Sequence, residues 1–236
     1  MNPKTITYIN IAITLLFAVS AVITGRVFAL ADSETGGVES TTEQPYHAPD
    51  LDWAFYLINE QSPLPADYQP ALKAVSGDFA LDERAADYAV AMLLAAHTDG
   101  VKLKVISAYR SMQKQGENFN SYVERLMAED FSEDEAIALT AAQIAMPGAS
   151  EHNAGLALDI LSIYCTAIDE EFERTPEFRW LADNSWRFGF ILRYPKDAEE
   201  ITGFIYEPWH FRFVGVIWAE QIYNSGLTLD EYIASR

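Results

Sequence analysis

Two short segments in the second half of the 236-residue chain carry residue types suited to metal-assisted hydrolysis. SEHNAGLALD (150–159) offers His152 and Asp159, and EPWH (207–210) offers Glu207 and His210. A catalytic zinc takes three protein ligands from His, Asp, Glu or Cys and leaves a fourth position for water. Two His and one Asp fill three places. The remaining carboxylate can then draw a proton from that water, which completes the parts for hydrolysis. Against this stands the abundance of acid: 35 Asp and Glu beside four His bring some His–acid pairs together by chance. A lone His and Asp seven apart is weak evidence for a site.

The local setting sharpens the pattern. Pro147, Gly148 and Ser150 make a turn-rich approach to His152. After Gly155 the stretch 156–160 alternates as a strand does, with Leu156, Leu158 and Ile160 toward a core and Asp159 on the other face. A carboxylate on so apolar a strand is costly to bury unless it is paired or binds a metal. A straight strand would put His152 and Asp159 on opposite faces, since seven is odd; a bend at Gly155 brings them together. Pro208 disfavours helix at Glu207, which reads as extended or in a turn. His47, in a polar stretch, and His97, at a helix end, lack such settings. Glu151 adjoins His152 but points as its neighbour does, and reads as a surface residue or a support behind the ligand.

Periodicity supplies the elements that must hold these residues. Helices are expected over 81–97, 112–127, 132–145 (Ser132 and Glu135 forming a capping box), 175–188 (Pro176 in its first turn, Gly189 at its end) and 213–224, with a last short helix starting at 227–230. Strands are expected over 101–107 and 190–193. The expected fold class is α+β: a small antiparallel sheet carrying the zinc site, with helices packed on one side.

Half the residues are hydrophobic and 13% aromatic, enough for one sizeable core. A net charge of −19 disfavours nucleic acid and electrostatic binding to anionic lipid. The single cysteine, Cys165, allows no intrachain disulfide and reads as a partly buried thiol. Residues 1–31 carry Lys4, an apolar run over 6–24 and an Ala29-x-Ala31 end. Two readings stay open, a cleaved secretory signal and an uncleaved membrane anchor. Residues 32–49 are rich in Ser, Thr, Glu and Gly and read as a flexible polar linker, leaving 50–236 as the domain. The expectation is an exported protein, membrane-anchored or secreted.

The chain resembles the VanY-like zinc D-alanyl-D-alanine carboxypeptidases, part of a wider group with lysostaphin-type peptidases and the hedgehog signalling domain. The resemblance rests on SAYRSMQKQ (107–115), PGASEHNAGLALD (147–159), WLADNSWRFGFILRYPK (180–196) and ITGFIYEPWHFRFVG (201–215), with a weaker match over 57–70. It spans about residues 50–236, and Asn153–Ala154 stands where many relatives have Gln–Thr.

The resemblance implies zinc held by His152, Asp159 and His210, with Glu207 as general base. It implies Arg110 as the clamp for the substrate's terminal carboxylate, and Ser107, Gln115 and Ser150 as supporting contacts to the substrate or site wall. A planar guanidinium suits a carboxylate through two parallel hydrogen bonds, although an isolated arginine at a strand end is more often solvent-facing. Ser107 and Gln115 are equally readable as turn and capping residues. The implied substrates are peptidoglycan stem peptides, with an anchored form facing the cell wall and no obligate protein partner evident. Alternatives are an L,D-carboxypeptidase, an endopeptidase, or a non-catalytic zinc-fold binding module, against which Glu207 weighs. A serine-type penicillin-binding hydrolase is disfavoured.

Overall fold

The computed structural model describes residues 52–236. The segments expected to serve export and to form a polar linker, and His47, lie outside the described residues. After a 3-10 turn at Asp52–Ala54, the first strands form an antiparallel hairpin, β1 (Leu72–Ser76) and β2 (Phe79–Asp82). It leads into α1 (Glu83–Thr98), whose first turn is capped by the Asp82 carboxylate accepting from the Arg84 N–H. β3 (Leu103–Ser107) and α2 (Met112–Met127) follow, then α3 (Glu133–Ala141), which carries the expected Ser132–Glu135 capping box. β4 (Ala157–Ser162) leads to α4 (Pro176–Asn184), capped by Thr175, and on through a 3-10 turn to β5 (Phe190–Leu192). The chain closes with α5 (Glu199–Thr202), β6 (His210–Phe213), α6 (Val216–Ser225) and α7 (Leu229–Ala234).

β3 to β6 form a four-stranded antiparallel sheet in the order β3-β4-β6-β5. The register sorts the two faces. Leu158 lies opposite Phe211, Val105 opposite Ile160 and Phe190 opposite Phe213; these side chains share one core with Ala85, Ala86, Ala89 and Met92 of α1 and Leu181 of α4. The other face pairs Asp159 with His210 and Ala157 with Arg212. Ile191, opposite Arg212, packs there with Ala219 and Ile222 of α6 and Leu229 of α7, so helices close both sides of the sheet at its β5 end. Every residue of β4 and β6 is buried. The chemistry-bearing face is therefore enclosed within the protein and not a solvated side of the sheet.

Three expectations shift. Leu81 and Asp82 end β2, and the helix expected from 81 begins at Glu83. The hairpin was not anticipated because β1 is almost wholly exposed and so lacks an apolar alternation to read. Phe213 remains in β6, and Gly215, at φ 91°, separates that strand from α6. The helix expected to 145 stops at Ala141. Cys165 is a partly exposed free thiol, and His97 is exposed in the last turn of α1. Among the described residues no helix is long and apolar enough to cross a membrane.

Candidate metal centre and substrate cleft

The bend between His152 and Asp159 is a tight turn over residues 151–155, in which Gly155 N–H donates to His152 O at 3.1 Å and Leu156 N–H to Glu151 O at 3.2 Å. Gly155 sits at φ 69°, and an added Cβ would lie 2.7 Å from the Asp82 backbone nitrogen. Only glycine fits both the left-handed geometry and the close approach of the hairpin. The turn sets His152 beside Asp159, and β4–β6 pairing sets Asp159 directly opposite His210.

The Asp159 carboxylate stands between the two rings. Oδ2 is 3.3 Å from His152 Nε2, and Oδ1 is 3.3 Å from His210 Nδ1. Ligands about 2.0–2.1 Å from a tetrahedral zinc are separated by about 3.3–3.4 Å, so these spacings suit one ion. One ligand atom from each of the three residues lies within 4.8 Å of the others, and all three residues are buried. Asp159 Oδ1 is buried without a hydrogen-bond partner, an orphaned acceptor that a cation would satisfy. Both imidazoles are oriented from behind. His152 Nδ1 is 2.7 Å from Ala108 O, which can only accept, so Nδ1 carries the hydrogen and Nε2 is free to ligate. His210 Nε2 is 3.2 Å from Glu151 Oε2, which leaves Nδ1 facing Asp159. The donor set fits zinc.

Glu207 Oε2 lies 3.5 Å from His210 Nδ1, and its backbone N–H is held by Tyr194 O at 3.1 Å. Burial pushes the Glu207 carboxyl up to about 8, and the negative charges of Asp159 and Glu151 add to the push. Burial opposes the charged form of His210, but the carboxylates of Asp159 and Glu151 beside the ring outweigh it and hold it up to about 10. Burial pulls His152 below its ordinary value. Asp159 stays well below the usual carboxylate range: burial raises it, but the close approach of the two His rings overrides this.

A pH dependence follows for the metal-free protein. Glu207 and His210 are both raised on folding, so each contributes stability that is lost as pH climbs through its folded value, about 8 and about 10. The lowered His152 acts in the opposite sense only below its ordinary 6.5. Thermal unfolding of chelator-stripped protein should therefore show a falling Tm from pH 6.5 to about 10, with the gap to zinc-loaded protein widening. A flat Tm across that window would contradict the arrangement.

His152, Asp159 and His210 line a cleft of about 520 Å³ together with Glu207, Arg110, Gln115, Ser150, Tyr194 and Trp209. Arg110 follows β3 and is tied to the His152 turn through its backbone: its N–H donates to His152 O at 3.0 Å, and its O accepts from Asn153 Nδ2 at 2.6 Å. Its guanidinium donates to Gln115 Oε1 at 2.8 Å and to Ser107 Oγ at 2.9 Å. Gln115 is buried and fixed in turn by donating to Ala145 O at 2.7 Å. Both side-chain partners of Arg110 are neutral, so its charge remains for another acceptor. Ser107 and Gln115 thus hold the arginine and are not capping residues. Ser150 is a buried part of the cleft wall.

The family model for VanY, D-alanyl-D-alanine carboxypeptidase, matches residues 78–216. A D-alanyl-D-alanine carboxypeptidase of Enterococcus faecalis (strain ATCC 700802 / V583) is 37% identical over 220 residues, 93% of this chain and 80% of that protein. The chain belongs to the VanY family. Among solved structures, a mutant of the vancomycin resistance D,D-pentapeptidase VanY from a VanB-type resistance cassette, in complex with Zn(II), superposes with a TM-score of 0.69 at 41% identity, covering 77% of this chain and 99% of that one. The LdcB LD-carboxypeptidase also gives a TM-score of 0.69, at 34% identity, covering 79% and 88%.

The structure decides or extends two readings of this VanY-family site. Of the two readings of Glu151 the support behind a ligand holds and the surface residue does not: it is buried against Arg193, Arg212 and His210. An arginine inside the apolar strand HFRF was the available signal, since a buried guanidinium demands a carboxylate. Asn153 is more than a tolerated departure, because it also accepts from Gly148 N–H at 2.9 Å and so braces both the turn and Arg110. A Ser-x-x-Lys spelling does occur, at Ser111 to Lys114. There Ser111 Oγ caps α2 by accepting from the Lys114 N–H, and Lys114 Nζ pairs with Glu117 at 3.2 Å on the exposed side. That geometry disfavours the serine-type mechanism.

Proposed function

We propose that the chain is a zinc-dependent D-alanyl-D-alanine carboxypeptidase that removes the terminal D-Ala from peptidoglycan stem peptides. The observation that carries this reading is one cleft holding a three-residue metal set, a buried carboxylate outside that set and a guanidinium with neutral partners. His152, Asp159 and His210 hold the zinc. When bound, zinc supplies Lewis acidity and lowers the pKa of water toward neutrality. Glu207 takes the proton from the attacking water on its carboxylate and returns it to the leaving amine nitrogen. Arg110 receives the substrate's terminal carboxylate in two parallel hydrogen bonds, with Ser107 and Gln115 setting the plane of the fork. The turn at Gly155 and the bracing by Asn153 keep that clamp at a set distance from the metal ligands. Such chemistry acts outside the cell membrane, so residues 1–31 serve export, as anchor or as cleaved signal.

Similarity to the LdcB LD-carboxypeptidase favours a second reading, in which the substrate is a tetrapeptide and the scissile bond joins L and D centres. Product masses from full-length protein incubated with stem pentapeptide and stem tetrapeptide separate the two. Loss of one alanine from the pentapeptide alone is expected, abolished by chelation and restored by added zinc. Cleavage of the tetrapeptide alone would favour the second reading. Activity that survives thorough chelation would sink the zinc reading, and binding of both peptides with no cleavage would favour the binding module.

A further inference from the structure

Glu151 divides its two oxygens between different tasks. Oε1 accepts from Arg193 Nε at 2.7 Å and from Arg212 Nη1 at 2.8 Å. Oε2 is left for His210 Nε2 at 3.2 Å. The two arginines are anchored on opposite sides. Arg212 donates through Nε to Phe213 O at 2.8 Å, and through Nη2 to Ala54 O at 2.9 Å and Tyr56 O at 3.0 Å, in the segment that precedes β1. Arg193 donates through Nη1 to Asp230 Oδ2 at 2.5 Å and through Nη2 to Oδ1 at 3.3 Å, reaching the first turn of α7. The chain Asp230–Arg193–Glu151–Arg212 holds two negative and two positive groups and is neutral as a whole. Arg193 and Arg212 are both fully buried, so neither is a mobile surface counter-ion.

We infer that Glu151 is the positioning residue of the metal centre: it fixes His210 with Nδ1 toward the metal, and Arg193 carries that hold out to the C-terminal helix. The inference rests on the reading that His152, Asp159 and His210 bind zinc. Three observations support it beyond simple charge compensation. The neighbouring ligand, His152, is oriented by a backbone carbonyl and needs no side chain, whereas His210 has only Glu151 behind Nε2. The small Ala157 opposite Arg212 leaves room for the guanidinium on the ligand face of the sheet. The arginines occupy one oxygen together, which orients the carboxylate so that the other meets the imidazole. A carboxylate behind a ligating imidazole sets its tautomer and strengthens it as a donor. Arg193 bridges Glu151 and Asp230, so weakening one contact alters the other.

The test is zinc affinity, measured on full-length protein by competition with a chromophoric chelator, for wild type, Glu151→Ala and Asp230→Asn. Unfolding temperatures of the metal-free forms and kcat and KM at saturating zinc are recorded beside it. Loss of such a contact typically weakens metal binding about 10–100-fold; that is expected for Glu151→Ala, with about tenfold for Asp230→Asn. At saturating zinc the loss should appear in kcat with KM nearly unchanged, because neither residue meets the substrate's carboxylate. If Glu151→Ala fails to fold, Asp230→Asn alone carries the test, since Asp230 is partly exposed and distinct from the ligands. Wild-type zinc affinity in either folded variant, even with a lowered unfolding temperature, overturns the inference and leaves Glu151 a structural counter-ion. A wild-type protein that binds no zinc would instead overturn the metal reading itself.

Discussion

Glu207→Gln should leave the fold and the zinc content intact while hydrolysis falls by about 10²–10⁴-fold, the usual worth of a general base. The substitution is nearly isosteric and removes only the proton-accepting capacity. Glu207 is buried at the cleft wall, so bulk solvent has little access to take over its role as base. Burial raises this carboxyl to about 8 even though the charges of His210 and Arg110 pull the other way. A bound zinc would favour the ionised form that a base requires. Turnover of a stem peptide by the metal-loaded variant is the measurement, with zinc per chain determined on the same sample. An emptied metal site would make Glu207 a ligand, and near-wild-type turnover would remove it from the mechanism.

Arg110→Ala should cripple cleavage at normal zinc content. Truncating one partner of a hydrogen-bonded charge pair costs on the order of 2–5 kcal/mol. Amidating the peptide's C-terminus should impose a similar penalty on the wild type, because it removes the same pair from the other side. Arg110→Lys should rescue little: Ser107 and Gln115 sit where a planar fork places two nitrogens, and an ammonium cannot reach both while presenting a second edge to a carboxylate. Equal turnover of amidated and free peptides would identify an endopeptidase.

The parts of the site that could be read from sequence are those whose cause is local. His152 and Asp159 flank a turn and a strand written into neighbouring residues, and Pro208 fixes the backbone at Glu207. The caps at Ser132, Thr175 and Thr228 mark their helices because a side chain meets an N–H three residues on. What could not be read depends on distant pairing. Nothing around Glu151 announces two arginines arriving from β6 and the end of β5. The hairpin was hidden for a different reason: its first strand buries almost nothing, so hydrophobic pattern had no purchase on it. Phe213 was assigned to a helix because its apolar neighbours continue without a break, and only Gly215 marks where strand gives way to α6.

The reach of Arg212 and Arg193 has a practical corollary for anyone cutting the gene. Residues 78–216, the span matched by the family model, would seem a natural minimal fragment. That fragment discards the Ala54 and Tyr56 carbonyls at one end and Asp230 at the other, so Arg212 Nη2 and Arg193 Nη1 and Nη2 lose their acceptors while both guanidiniums keep Glu151. Each buried donor left without an acceptor costs about 1–3 kcal/mol, a large share of a domain's usual net stability. Expression boundaries therefore belong upstream of Trp53 and downstream of α7, and random truncation libraries should show their sharpest losses at those two edges.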